Sequence, residues 1–320
     1  MSEFFTIYGI FLAKIITIML ILLITFAGLI SVASWGKSKS KEKLEIVEIN
    51  KRHNEFKELM YKKILTKKEY KILEKTKDKE NEELKSRTFI IDFQGDIKAS
   101  AVDSLREAIT AILMIADPKD EVIINLESTG GTIHGYGLAA SQLRRIRDKK
   151  IYLTVIIDKV AASGGYMMAC VADKIIAAPF AIVGSIGVIA QLPNFHRLLR
   201  KHDIDYEQIM AGEYKRTLTL FGENTKEGRE KMLQEVNEAH QLFQSFISEH
   251  RPMLNIASLA TGETWYGLRA KELGLIDDIS TSDEYLTKAR EKNKVFQIKY
   301  NIKKNMLDRF MMSMQKNIFR

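Results

Sequence analysis

The chain opens on a run of apolar positions with no polar face. Residues 4–35 are almost continuously apolar, broken by Lys14 and a few small polar residues. Ile15 to Ala33 carries no charge and is long enough to cross a bilayer, which takes about 20 residues. A cleaved signal peptide fits less well, because Glu3 precedes the run and the apolar core is too long for a signal h-region. A helix packed on the core of a globular domain fits poorly, because the segment has no polar face. The pattern predicts a retained membrane anchor over residues 1–36.

The next stretch, residues 37–87, is rich in Lys and Glu. Apolar residues recur at Leu44, Val47, Phe56, Leu59, Met60 and Ile64, a helical spacing with gaps. This predicts one or two exposed helices forming a charged helical linker. The heptad pattern is not sustained, so a solvated spacer fits better than a specific coiled coil.

From residue 88 the pattern changes to short β-branched runs alternating with helical ones. Thr88–Phe93, Glu121–Leu126, Ile151–Ile157 and Lys174–Ala177 read as strands. Ile133–Arg147, Gly164–Val171 and Thr225–Glu249 read as helices, the last long and amphipathic. The alternation predicts an α/β domain with a mainly parallel sheet over residues 88–296. Residues 297–320 read as a basic tail. No internal repeat is evident.

Charge refines this division. The chain holds 49 basic and 41 acidic residues, a net charge of +8. Residues 37–87 contain 17 Lys/Arg and 11 Asp/Glu, so most of the excess lies there. Nucleic-acid binding by the main domain is therefore not expected, and anionic lipid headgroups are the expected partner of the basic stretch. Lys37, Lys39, Lys41 and Lys43 follow the apolar run, which by the positive-inside rule puts the rest of the chain on the cytoplasmic side. The single cysteine, Cys170, excludes an intrachain disulfide and reads as a packed core thiol. His134, His196, His202, His240 and His250 show no metal-ligand spacing, and no metal or cofactor is expected.

Four short motifs carry candidate chemistry. Ala161-Ala162-Ser163-Gly164-Gly165-Tyr166 places a serine among small residues at the start of a predicted helix. A serine needs a base to become a nucleophile, and a helix N-terminus offers N–H groups to a developing oxyanion. The alternative is a helix N-cap serine. Lys215, in Ala211-Gly212-Glu213-Tyr214-Lys215-Arg216-Thr217, is a candidate base. An unperturbed lysine titrates near 10.4, so a lysine base requires an environment that favours the free amine. The alternative is a surface lysine. Arg216 cannot serve, because guanidinium stays protonated. Ser185 lies in Val183-Gly184-Ser185-Ile186-Gly187-Val188, and reads equally as a turn serine. Asn125-Leu126-Glu127-Ser128-Thr129-Gly130-Gly131 ends a strand in a glycine pair.

The order and spacing of these motifs resemble the S49 family of membrane-bound Ser/Lys peptidases, the signal peptide peptidase A type, and most closely its SohB branch. The resemblance covers roughly residues 88–278, and the anchor and linker more weakly. It implies a ClpP/crotonase-like ββα-superhelix domain preceded by a transmembrane helix and a charged helical linker. It makes Ser163 the nucleophile, Lys215 the general base and Ser185 the residue that orients the lysine. Gly131 and Gly164 would supply the oxyanion hole. Relatives carry Ser-Pro-Gly-Gly where this chain has Ser128-Thr129-Gly130-Gly131, which loosens the turn but leaves its N–H groups available. The histidine that the ClpP branch uses as base is absent from the region around Ser185.

What the resemblance implies is a serine endopeptidase in the bacterial inner membrane. Its expected substrates are extended apolar peptides or unfolded segments, such as signal peptide remnants. Sites in the family are assembled in a homo-oligomeric ring. The family's position pulls the domain towards the cell exterior, against the charge rule. A non-catalytic membrane scaffold on the same fold and a crotonase-type acyl-CoA enzyme are the alternatives.

Overall fold

The computed structural model describes residues 2–35, 43–70 and 86–302. The apolar run forms one helix, α1 (Ser2–Trp35), with side chains described for residues 7–23 and 25. Every one of those side chains is exposed, around the full circumference of the helix. Among the described residues no helix is long and apolar enough to cross a membrane. The helix belongs to a unit distinct from residues 44–300.

Part of the expected helical linker is instead a strand. β1 (Lys43–Glu48) is followed by α2 (Ile49–Ile64). Leu44 and Ile46 alternate with Lys43 and Glu45, and a two-residue period suits a sheet edge. The edge is provided by the last strand of the chain, β10 (Asn293–Asn301), beside which β1 lies. That strand runs through the expected boundary at residue 296, so the first residues of the basic tail belong to the sheet. The remaining residues of that tail, 303–320, lie outside the described residues. α2 is the exposed helix expected, with no buried residue. Its start is tied to the sheet by Asn50, whose Nδ2 donates to the carbonyls of Arg290 and Asn293 and whose Oδ1 accepts from Val295 N–H.

The α/β domain follows the predicted alternation. In chain order it contains β2 (Ser86–Gly95), α3 (Val102–Leu113), β3 (Glu121–Ser128), α4 (Ile133–Asp148) and β4 (Tyr152–Ile157). Then come β5 (Val160–Ala162), α5 (Gly164–Ala169), β6 (Lys174–Ala177), β7 (Ile182–Gly184), α6 (His196–Lys201) and α7 (Lys226–His250). The chain continues through α8 (Ile256–Leu259), β8 (Thr264–Tyr266), α9 (Gly267–Glu272), β9 (Asp278–Ile279) and α10 (Ser282–Lys292).

The main sheet runs β1-β10-β2-β3-β4-β6-β9 and is parallel from β10 to β9. Its central strands β2, β3, β4 and β6 are buried on both faces, which is why they read as near-continuous apolar runs. Phe89, Ile91, Val122, Ile124, Leu153 and Val155 face the large core beneath α3, α4 and α5. Ile90, Ile123, Ile156, Ile176 and Val295 face the other side, covered by Ile49 and by Tyr285, Leu286 and Ala289 of α10. Cys170 is buried in the large core, as expected, and burial pushes its thiol well above its ordinary value.

A second, shorter set of strands branches from this sheet and places the site. β3 pairs with β4 through Asn125, then at Ser128 passes to β5. β5 pairs in parallel with β7, and β7 pairs antiparallel with β8. Two strands of the main path are thus each followed by a short strand of the branch: β4 by β5, and β6 by β7. Ser163 and Gly164 follow the end of β5, Gly184 and Ser185 stand at the end of β7, and Ser128, Gly130 and Gly131 at the end of β3. Tyr206–Met210 has a strand-like composition but joins no sheet, and residues 189–225 contain only α6 as a regular element.

Candidate active site

Ser163 stands between β5 and α5 with φ +52 and ψ −118. A non-glycine residue there is strained, and such outliers gather at functional sites where the surroundings impose them. The imposing contacts are visible. Ser163 N–H donates to the Gly184 carbonyl at 2.7 Å, and Ser163 C=O accepts from Met167 N–H at 3.0 Å. The serine occupies the N-cap position of α5, yet its side chain makes no capping hydrogen bond. Its φ also lies outside the extended region that N-cap residues adopt. The N-cap alternative therefore has no geometric support, and the hydroxyl is left for other chemistry.

The glycine pair lies directly against this turn. Gly130 has φ +90, and a Cβ added there would lie 2.7 Å from Ser163 Cβ and 2.9 Å from Gly164 N. Only glycine lets the two turns approach this closely. The following Gly131 packs on Ile97 in the same way, with Thr132 N–H donating to the Ile97 carbonyl at 2.8 Å. Among the described residues, neither Gly131 N–H nor Gly164 N–H has a hydrogen-bond acceptor. Two free donors beside a serine hydroxyl, one of them at a helix N-terminus, form the arrangement that stabilises an oxyanion.

Ser185 enters by register. Ala162 pairs with Gly184, so Ser163 and Ser185 are the next residues beyond the ends of adjacent parallel strands. Ser185 also has positive φ, +53, and its N–H donates to the Glu263 carbonyl at 2.6 Å. The preceding Gly184 has φ +109 and faces the ring of Trp265 on β8. Trp265 is thus a packing residue of the site's support.

Lys215 is not brought to this cluster. It is exposed, its backbone N–H donates to Gly212 C=O, and among the described residues its ammonium forms no ion pair. Its neighbours instead surround a separate cavity of about 440 Å³, lined in part by Tyr206, Met210, Tyr214, Arg216, Thr219 and Glu223. Ser163, Ser185, Gly131 and Gly164 therefore meet in the single chain, whereas Lys215 stands apart.

Two side chains had no assigned role in the sequence. Ser128 ends β3 and accepts a hydrogen bond from Gly130 N–H at 3.0 Å, and its hydroxyl meets that of Tyr136 on α4. The Tyr136 ring lies against Gly164, where a Cβ would come within 2.3 Å of its Cγ. Ser128 was visible as the polar residue two before the glycine pair. Nothing local in the sequence marks Tyr136, because its contact with Gly164 crosses between elements.

Comparison with known proteins identifies the family of the chain. The model of peptidase family S49 matches residues 145–296, and that of the family's N-terminal region matches residues 3–143. The chain is 47% identical to a probable protease SohB of Haemophilus influenzae, an alignment spanning 97% of this chain and 93% of that one. A probable protease SohB of Buchnera aphidicola is also 47% identical, over 89% of this chain and 99% of the other. The solved structure of a mutant 1510-N membrane-bound stomatin-specific protease with a substrate peptide overlays at a TM-score of 0.45. It is 14% identical and covers 72% of this chain and 99% of that one. The chain belongs to peptidase family S49, and is a serine protease of that family.

Proposed function

We propose that this protein is a membrane-anchored serine endopeptidase whose Ser163 attacks a peptide carbonyl with Lys215 as its base. The observation that carries the reading is Ser163 itself: a strained, uncapped serine next to the two unpartnered N–H groups of Gly131 and Gly164. The free amine of Lys215 takes the Ser163 proton as Oγ bonds to the carbonyl carbon. The carbonyl oxygen becomes an oxyanion and accepts from Gly131 and Gly164 N–H. Collapse of the intermediate breaks the C–N bond, and Lys215 returns the proton to the leaving amine. Water, deprotonated by the same amine, then releases the acyl group. Ser185 orients the lysine amine. No cofactor takes part.

The fold reading becomes finer here too. Repeated long strand, short strand and helix, as in β4-β5-α5, is the ββα unit of the ClpP/crotonase superhelix. Extended apolar peptides or unfolded segments, including signal peptide remnants, are the proposed substrates. Ile97 and Ile133, flanking the Gly131 turn in space and in sequence, are both exposed and offer apolar contacts.

Two features support a homo-oligomeric ring. Lys215 lacks a place beside Ser163 in one chain. The segment that carries it also exposes Ile189, Phe195, Leu198, Ile209 and Phe221. A neighbouring subunit would cover these side chains and seat the lysine of one chain at the serine of the next. The anchor is proposed from the uncharged stretch Ile15–Ala33 and from α1, an apolar helix exposed on every described side. A helix of that kind is stable in lipid, which fits the inner membrane of a bacterium. The basic stretch of residues 37–87 would meet anionic headgroups.

The test is hydrolysis of a mixed peptide library by the wild type and Ser163→Ala side by side. The reading requires internal cleavage by the wild type and none by the variant. Equal cleavage by both would refute it.

A further inference from the structure

Four polar groups between β2, β3 and α4 form a chain whose proton order is determined by chemistry. Gly130 N–H donates to Ser128 Oγ. Ser128 Oγ and Tyr136 Oη are in hydrogen-bond contact. Tyr136 O–H points at the Asp96 carbonyl, 2.9 Å away. A carbonyl oxygen only accepts, so the single Tyr136 proton is committed to Asp96. The bond between the two hydroxyls must then be donated by Ser128. The order is Gly130 N–H to Ser128, Ser128 O–H to Tyr136, Tyr136 O–H to Asp96, with each proton used once.

The chain is buried at both hydroxyls. Ser128 is 2% exposed and Tyr136 0%. It leaves no room for a larger residue at Gly95, where a Cβ would fall 2.3 Å from Tyr136 Oη and 2.6 Å from Ser128 Oγ. Inside a protein each link polarises the next and the whole resists displacement. One end holds Gly130, the residue before the first oxyanion donor. The same tyrosine's ring lies against Gly164, the second oxyanion donor. One side chain therefore lies against one half of the hole and reaches the residue before the other half through Ser128, without reaching the reacting atoms.

We propose that Tyr136, acting through Ser128, is a positioning residue that holds the N–H groups of Gly131 and Gly164 at the spacing the oxyanion requires. The buried hydroxyl chain stiffens the turn that ends in the glycine pair. Burial raises the Tyr136 phenol above its ordinary value, so the chain keeps its protons under the alkaline conditions in which a lysine base works.

The proposal rests on Ser163 as nucleophile, so the experiment separates the two. Steady-state kinetics on one cleaved peptide would compare wild type, Tyr136→Phe, Ser128→Ala and the double variant, with Ser163→Ala as reference and thermal melting recorded for each. Misplacing a reacting geometry by a fraction of an ångström to an ångström costs up to about a hundredfold. Each single variant is expected to lose about ten- to a hundredfold in kcat with KM within about twofold. The double variant should lose no more than the worse single, because one chain of bonds is broken once. A kcat within about twofold of wild type for the singles, a loss confined to KM, or multiplying losses would overturn the proposal. If Tyr136→Phe does not fold, Ser128→Ala carries the same comparison alone. Full activity of Ser163→Ala would instead sink the underlying reading, whatever Tyr136 does.

Discussion

The two halves of the proposed dyad are built in opposite ways. Ser163 sits where β5, β7 and α5 converge, amid Ala161, Tyr166 and Val183, all fully buried. Its strained backbone is held by the Gly184 and Met167 hydrogen bonds and by glycines that admit no side chain. Lys215 sits in an irregular, exposed segment between α6 and α7. Only the C-terminal half of α7 reaches the core, through Phe243 and Ile247. The contrast teaches that Ser163 and the Gly131 and Gly164 turns are held by the domain's own core, whereas Lys215 has no comparable support among the described residues.

Removing either partner should break this arrangement most completely. Ser163→Ala and Lys215→Ala are each expected to lower kcat by about 10⁴-fold or more, because nucleophile and base act as a unit. Circular dichroism should show both folded, since Lys215 is exposed and a Ser→Ala change leaves no cavity of consequence. Turnover by pure Lys215→Ala near the wild-type rate would remove the lysine from the mechanism.

Next come the glycines that shape the rigid half. Gly164→Ala forces a Cβ into the Tyr136 ring, and overpacking of this kind costs about 1–3 kcal/mol. A lower melting temperature and a loss of about 10²–10³ in kcat are expected, the latter from the displaced oxyanion donor. Unchanged melting would mean that the ring has room to move.

Ser185→Ala should be milder, about ten- to a hundredfold, because an orienting group makes and breaks no bond. In the pH–rate profile of the wild type, activity should rise towards alkaline pH, since the base works only as the free amine. A profile flat from about pH 6 to 10, with chemistry rate-limiting, would contradict a lysine base.

The smallest effect on folding is expected in the irregular, exposed partner of the comparison. Ile209 is 97% exposed, so Ile209→Asp should leave single-chain stability within about 0.5 kcal/mol. It should nevertheless weaken self-association, measured by light scattering, and activity with it. Unaltered assembly would place the subunit contact elsewhere.

This contrast also explains what the sequence made legible. β2, β3, β4 and β6 were readable because strands buried on both faces are long β-branched runs. Ser163, Gly131 and Gly164 were readable because close backbone approach demands small residues in a recognisable order. β1 was not: Leu44 and Val47 fit a helical spacing, and only the distant β10 makes Lys43–Glu48 a strand. α3 was passed over, although Val102, Leu105, Ile109 and Ile112 follow a helical period. Tyr206–Met210 has strand composition but no partner edge. The role of Tyr136 depends on contacts with residues 40 positions before it and 28 after it, which no local pattern records.

The most direct test of a preformed nucleophile completed by another chain is complementation. Inactive Ser163→Ala protein is mixed with inactive Lys215→Ala protein, subunits are allowed to exchange, and peptide cleavage is measured against the mixing ratio. Recovery of part of the wild-type activity, greatest near equal amounts, is the result expected when serine and lysine come from different chains. No recovery in mixed assemblies that light scattering shows to have formed, or full activity from a monomeric wild type, would contradict it.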